Sequence, residues 1–189
     1  TSVAGPNNGM MTVQVALDAK RNISAIYGGD IKGNIWKYNV SATGVISAAQ
    51  LLFTASSTVA PAQQSITGGI RLGKHPDGLG TLVYFGTGKY FENVDGGYNT
   101  LTSVPHQDSF YALLDNGSGT TILRSNLKQQ TFSTSAVAGG GTVRTSSTNT
   151  VNYPGGDKGW YIDLLNGTTA QGERVVSTPV LAGSRIIFV

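Results

Sequence analysis

The chain has 189 residues, with 26 Gly, 17 Ser, 21 Thr, only two Glu and 12% charged residues, a mix poor in helix formers and rich in turn formers. A hydrophobic share of 39% excludes a charged disordered chain, and no apolar run approaches the roughly 18 residues of a membrane-spanning helix. Cysteine is absent, which excludes disulfides and thiolate metal sites, and the net charge of +3 is scattered rather than clustered, giving nucleic-acid binding little support.

In chain order, short apolar or alternating runs are broken by Gly, Asn and Asp, with no helical stripe. Strands are expected over 12–17, 23–28 and 33–39, the last two joined through Gly29-Asp30-Ile31-Lys32 and followed by a fourth over 51–54. Residues 56–64, polar and small, read as a connection. The pattern then restarts: a strand over 66–72, a turn through His75-Pro76-Asp77-Gly78, and a strand over 81–87. A long excursion from Gly88 to His106 follows, then a strand over 108–115, an Asn116-Gly117 turn and a short strand over 121–124. Residues 133–156 are almost all Ser, Thr, Gly, Ala, Val and Asn and read as a low-complexity insertion or mobile loop. Strand patterning resumes over 158–164 and 173–177, and residues 178–181 and 185–189 resemble the first hairpin of another unit.

Aligned on their second strands, Ala25-Ile26-Tyr27-Gly28 falls beside Val83-Tyr84-Phe85-Gly86 and later Arg185-Ile186-Ile187-Phe188. The first interval is near the roughly 40–50 residues of a propeller blade; the second is about twice that and leaves room for a divergent blade over 133–177. The expected architecture is all-β: a partial β-propeller of roughly three four-stranded antiparallel meanders, with 1–189 forming part of one domain. A β-sandwich is the alternative. The chain opens at Thr1 without an initiator Met and closes on an apolar run that reads as mid-strand, so the expectation is a segment of a larger propeller.

In Tyr27-Gly28-Gly29-Asp30-Ile31-Lys32-Gly33-Asn34-Ile35-Trp36, Gly33 and Asn34 suit a turn with positive φ. Asp30 can accept backbone N–H bonds across that turn, and Trp36 offers a large packing face. This stretch resembles the blade signature shared by quinoprotein-like propellers and by the C-terminal propeller of PilY1/PilC-type type IV pilus biogenesis factors. Three further stretches are similar to the pilus factors, in the same order: Phe85-Gly86-Thr87-Gly88-Lys89-Tyr90-Phe91-Glu92, Asp108-Ser109-Phe110-Tyr111-Ala112, and Gly159-Trp160-Tyr161-Ile162-Asp163-Leu164 with Gly172-Glu173-Arg174-Val175-Val176-Ser177.

The resemblance implies an extracellular protein at the cell surface or pilus tip. Such a protein acts in pilus assembly, retraction control, twitching motility and adhesion, with minor pilins, further blades and a host or surface ligand as partners. Many members carry a calcium loop of the form D-x-[DN]-x-D-x-x-x-D before the blade signature. Its ligand positions fall here on Ala16, Asp18, Lys20 and Ser24, only one of them a carboxylate. Calcium takes about six to eight oxygen ligands, so no calcium or other cofactor is expected in this segment, with Lys20 or Arg21 offsetting Asp18.

Other constellations read as structural. Gly86-Thr87-Gly88-Lys89 lacks the full phosphate-loop pattern because Tyr90 follows the lysine. His75 and His106 have no metal-like spacing, and no G-x-S-x-G elbow marks a nucleophile. No catalytic residue is therefore expected. Lys89, Glu92 and Asp95 in the long excursion form the candidate functional loop. Trp36, Trp160, Tyr27, Tyr161 and Phe110 could instead line a sugar groove. The alternatives in function are thus a quinoprotein-like dehydrogenase and a carbohydrate-binding, lectin-like propeller.

Overall fold

The computed structural model describes residues 7–58, 63–91 and 106–189. The first sheet is a four-stranded antiparallel meander, β1 (Met10–Leu17), β2 (Ile23–Asp30), β3 (Asn34–Asn39) and β4 (Gln50–Thr54), hydrogen-bonded in that order. The second sheet begins the same way with β5 (Arg71–Lys74), β6 (Thr81–Gly86) and β7 (Ser109–Asp115).

Its fourth strand differs from the sequence expectation. Residues 121–124 form no strand: Ile122 makes a single parallel bridge to Phe53, and Arg124–Asn126 is a 3-10 turn. The place beside β7 is taken by β11 (Gly159–Asp163), with Trp160 opposite Ala112 and Ile162 opposite Phe110. Then β8 (Lys128–Gln130) adds in parallel to the outer side of β11. The divergent blade expected over 133–177 is thus absent, because its best strand completes the second blade instead.

The Ser/Thr-rich stretch pairs as a hairpin rather than lying as a loop, β9 (Phe132–Ala136) with β10 (Thr142–Ser146). Its root is fixed by Arg144, whose guanidinium lies 4.3 Å from the Phe132 ring centroid and 2.6 Å from Glu173 Oε2. A two-residue hairpin, β12 (Leu165–Asn166) with β13 (Thr169–Ala170), and a last hairpin, β14 (Val180–Ala182) with β15 (Arg185–Ile187), follow. Residues 173–177 belong to no strand.

The period-2 alternation of β7 explains the stacking. All seven residues of β7 are buried. Tyr111 and Leu113 point into one apolar cluster with Val83, Phe85, Ile35, Phe53 and Tyr27, which cements the two meanders. Phe110 points the other way, into a second cluster with Ile162, Leu164 and Val175, against which Trp160, Ile186 and Phe188 pack. Phe85 and Tyr111 are stacked at 5.2 Å, and Phe110 and Phe188 at 4.1 Å. Each large apolar side chain buried this way contributes about 1.5–3 kcal/mol. A sheet buried on both faces is a blade between neighbours, whereas the outer sheets of a sandwich each keep one wet face. On the far side of the first sheet, Val13 and Val15 lie in register with Gly28 and Ile26, in turn opposite Trp36 and Tyr38, and the two valines are 57% and 38% exposed.

Candidate functional site

The blade signature closes around one carboxylate. Asp30, 1% exposed, accepts hydrogen bonds from Asn8 Nδ2 at 2.7 Å, Asn34 N at 2.9 Å, Asn34 Nδ2 at 3.0 Å and Trp36 Nε1 at 2.7 Å. A buried charge is tolerable only when its lone pairs are filled, and here the donors are all neutral amide or indole N–H groups. The Asp30 carbonyl accepts Gly33 N within the turn and Ile66 N from the connection to the second blade. Gly33 has φ of +83°, and a Cβ there would stand 2.4 Å from the Gln64 carbonyl oxygen. Asp30, Gly33, Asn34 and Trp36 therefore form a structural knot.

The remaining three motifs converge at the foot of the long excursion. Gly86 carries no Cβ because one would lie 2.3 Å from Val175 Cβ, and Val175 N donates to the Thr87 carbonyl at 2.9 Å. Arg174 Nη1 donates to the Lys89 carbonyl at 2.7 Å. Thr87 Oγ1 donates to Asp108 Oδ1 at 2.8 Å and accepts from Ser109 N at 2.8 Å, while Leu164 N donates to the Asp108 carbonyl. His106 Nδ1 stands 3.3 Å from Asp108 Oδ2, and this hydrogen-bonded carboxylate raises the imidazole pKa against the opposing pull of burial. Glu92 and Asp95 lie outside the described residues, so of the candidate loop only Lys89 is placed, at this foot.

Behind the foot runs a polar network that sequence patterning does not reveal. Tyr111 OH donates to Gln64 Oε1 at 2.5 Å, Gln64 Nε2 donates to Ser109 Oγ at 2.8 Å, and Ser109 Oγ donates to Asp163 Oδ1 at 2.6 Å. Arg124 completes it. Its Nη2 is 2.6 Å from Asp163 Oδ1, its Nη1 donates to Tyr111 OH and the Ser56 carbonyl, and its guanidinium covers the Tyr161 ring at 3.9 Å. Burial pushes the Tyr111 phenol up to about 12, with the Arg124 charge opposing it. These partners are far apart in the sequence; Ser109, Tyr111 and Asp163 show as polar residues inside apolar strands, whereas Gln64 and Arg124 lie outside strands and carry no such signal.

The four positions where the family resemblance implies calcium ligands flank and enter the β1–β2 turn, Ala16 on β1, Asp18 and Lys20 in the turn and Ser24 on β2. Ala16 is partly buried and packs against the first core cluster, and Ser24 Oγ donates to the Ala16 carbonyl at 3.3 Å. Asp18 Oδ1 accepts Lys20 N and Asn22 N, each at 2.8 Å, and Oδ2 accepts Asn22 Nδ2 at 3.3 Å. The bond from the Asn22 backbone, chief among these, holds the Asp18 carboxyl below its usual range. The donors that meet Asp18 are amides of the turn. This set does not fit calcium: it offers one carboxylate, already engaged by amides, and a lysine at the third position.

Of the five aromatics considered for a sugar groove, Tyr27, Trp36 and Phe110 are buried, and only Trp160 and Tyr161 keep partial exposure. Among the described residues no three His, Asp or Glu side chains come together as a metal-binding group.

A four-stranded meander stacked on a five-stranded sheet, closed by a buried signature carboxylate and by motifs that lock onto one another, defines a β-propeller segment. No protein-family model matches the chain. It is 28% identical over its whole length to the type IV pilus biogenesis factor PilY1 of Pseudomonas aeruginosa, covering 19% of that protein. It is 31% identical over 88% of its length to the PilY1 homolog of Xylella fastidiosa, covering 11% of it. The crystal structure of the Pseudomonas aeruginosa PilY1 C-terminal domain superposes on 97% of the chain with a TM-score of 0.73 and 28% identity. The chain spans 44% of that domain and no more than a fifth of the curated relatives. It is therefore of the PilY1/PilC type, corresponding to part of the C-terminal β-propeller.

Proposed function

We propose that this chain is a non-enzymatic part of a type IV pilus biogenesis protein at the cell surface or pilus tip, a rigid propeller segment that presents loops to minor pilins and to a surface or host ligand. The observation that carries the reading is the convergence of the four family-like motifs on buried contacts between and within blades. Their polar atoms are spent on one another. Thr87 Oγ1 donates to Asp108, whose second oxygen lies against His106, and Asp30, Asp115 and Asp163 are each filled by donors. Similarity to PilY1 supplies the pilus context.

The test is deletion of the gene for the full-length parent protein, with pili sheared from the cell surface and counted. The expected result is a severalfold loss of surface pili, restored by the parent gene. Normal piliation in the deletion strain would overturn the pilus reading. Turnover of an alcohol or aldose by the purified parent with pyrroloquinoline quinone would overturn the non-enzymatic one.

A further inference from the structure

We propose that the β1–β2 turn of this chain is a metal-independent closure, in which the amides of the turn occupy the position a calcium ion would hold. All four ligand positions are committed elsewhere. The Ala16 methyl packs on the core between the blades, and its carbonyl accepts Ser24 Oγ. Lys20 places an ammonium at the third position, exposed with its neighbour Arg21, so cations outnumber the one carboxylate of the tip.

Asp18 does for the turn what an ion would do for a ring of carboxylates. Three N–H groups converge on its oxygens, Asp18 N donates to the Asn22 carbonyl at 2.8 Å, and Arg21 N donates to the Asp18 carbonyl at 3.0 Å. Arg21 is held at φ of +67°, a left-handed conformation uncommon for a non-Gly residue and sustained only where the surrounding bonds require it. For a cation to take the Asp18 carboxylate, these amides would have to be released and the turn reopened, with Lys20 repelling the ion. The consequence is that this blade is indifferent to calcium.

The experiment uses the full-length parent protein and its Asp18→Asn variant, which keeps an acceptor oxygen while removing the charge, melted in excess calcium and in a chelator. The expected result is that Asp18→Asn lowers Tm by the same amount in both media. A decrement in calcium larger than that in chelator would show that Asp18 binds the ion and would overturn the proposal. Terbium luminescence gives a second readout. Equal sensitised emission from parent and variant supports the metal-free turn, and emission that is lost in Asp18→Asn contradicts it. Neither outcome depends on the pilus function, because both read the turn alone.

Discussion

Lys37 Nζ lies 2.6 Å from Asp115 Oδ2, joining β3 of the first blade to the end of β7 in the second, and Tyr27 OH donates to the same oxygen at 2.6 Å. Both charged side chains are nearly buried. Burial pushes the Asp115 carboxyl up, but Lys37, Tyr27 and the Gly117 N–H together hold it below its usual range. Asp115→Ala leaves an ammonium buried without its counter-charge and is expected to cost about 3–5 kcal/mol in urea unfolding, while a Lys37→Met, Asp115→Leu pair costs much less. Because the folded pKa is depressed, the Asp115 contribution is present above a pH of about 4 and fades as pH falls through the folded value. An Asp115→Ala protein as stable as the parent would show that this pair does not hold the blades.

The knot at Asp30 makes a graded prediction. Trp36→Phe removes one donor and leaves the carboxylate otherwise served, at about 1–3 kcal/mol. Asp30→Ala strips the partner from Asn8, Asn34 and Trp36 together and is expected to exceed it. Equal losses in thermal unfolding would mean that packing of the indole, not the carboxylate, organises the signature.

Two glycines with nearly the same dihedral separate backbone strain from crowding. Gly44 has φ of +82° and nothing within 4 Å of the point where a Cβ would stand, so Gly44→Ala carries only the left-handed strain, about 1–2 kcal/mol. Gly33, at +83°, would also drive its methyl against the carbonyls of Gln64 and Ala55. Gly33→Ala is expected to be the costlier change by a wide margin, and parity of the two in denaturant titration would refute the close approach.

His106 provides the pH dependence. Its folded pKa is raised by Asp108, so the stability it contributes is complete below an unfolded value of about 6.5 and is lost as pH rises through the folded value. Hydrogen exchange at residues 107–109 should quicken above that window beyond the intrinsic rate, and His106→Gln should remove the extra acceleration. A His106 resonance titrating below 6.5 would contradict the contact.

Legibility followed the range of the interactions. The strands β2, β3 and β7 were readable because alternation and Gly-Asn or Asn-Gly turns are local signals, and the four family-like motifs marked places that the fold brings together. Strand choice across a long gap was not readable. Residues 121–124 and 159–163 both have strand character, but only the latter offers Trp160 and Ile162 on one face, and Gly159 on β11 with room to approach the Ala112 carbonyl, where a Cβ would sit at 1.9 Å. The network of Gln64, Ser109, Tyr111, Arg124 and Asp163 was equally hidden, since hydrogen bonding between distant polar residues leaves no period in the sequence. At the calcium-loop positions the single carboxylate was visible, but the amide N–H bonds that close on it were not.

If the two meanders are successive blades of one ring, the apolar face formed by Val13, Val15, Ile26 and Tyr38 must be covered in the parent domain, and a crystal structure of that domain decides the matter. The expected result is another four-stranded sheet seated on that face, with the β14–β15 hairpin extended into a full blade at the other end. A parent structure in which Val13 and Val15 remain in solvent, or in which the two meanders close on each other as a two-layer sandwich, would contradict it.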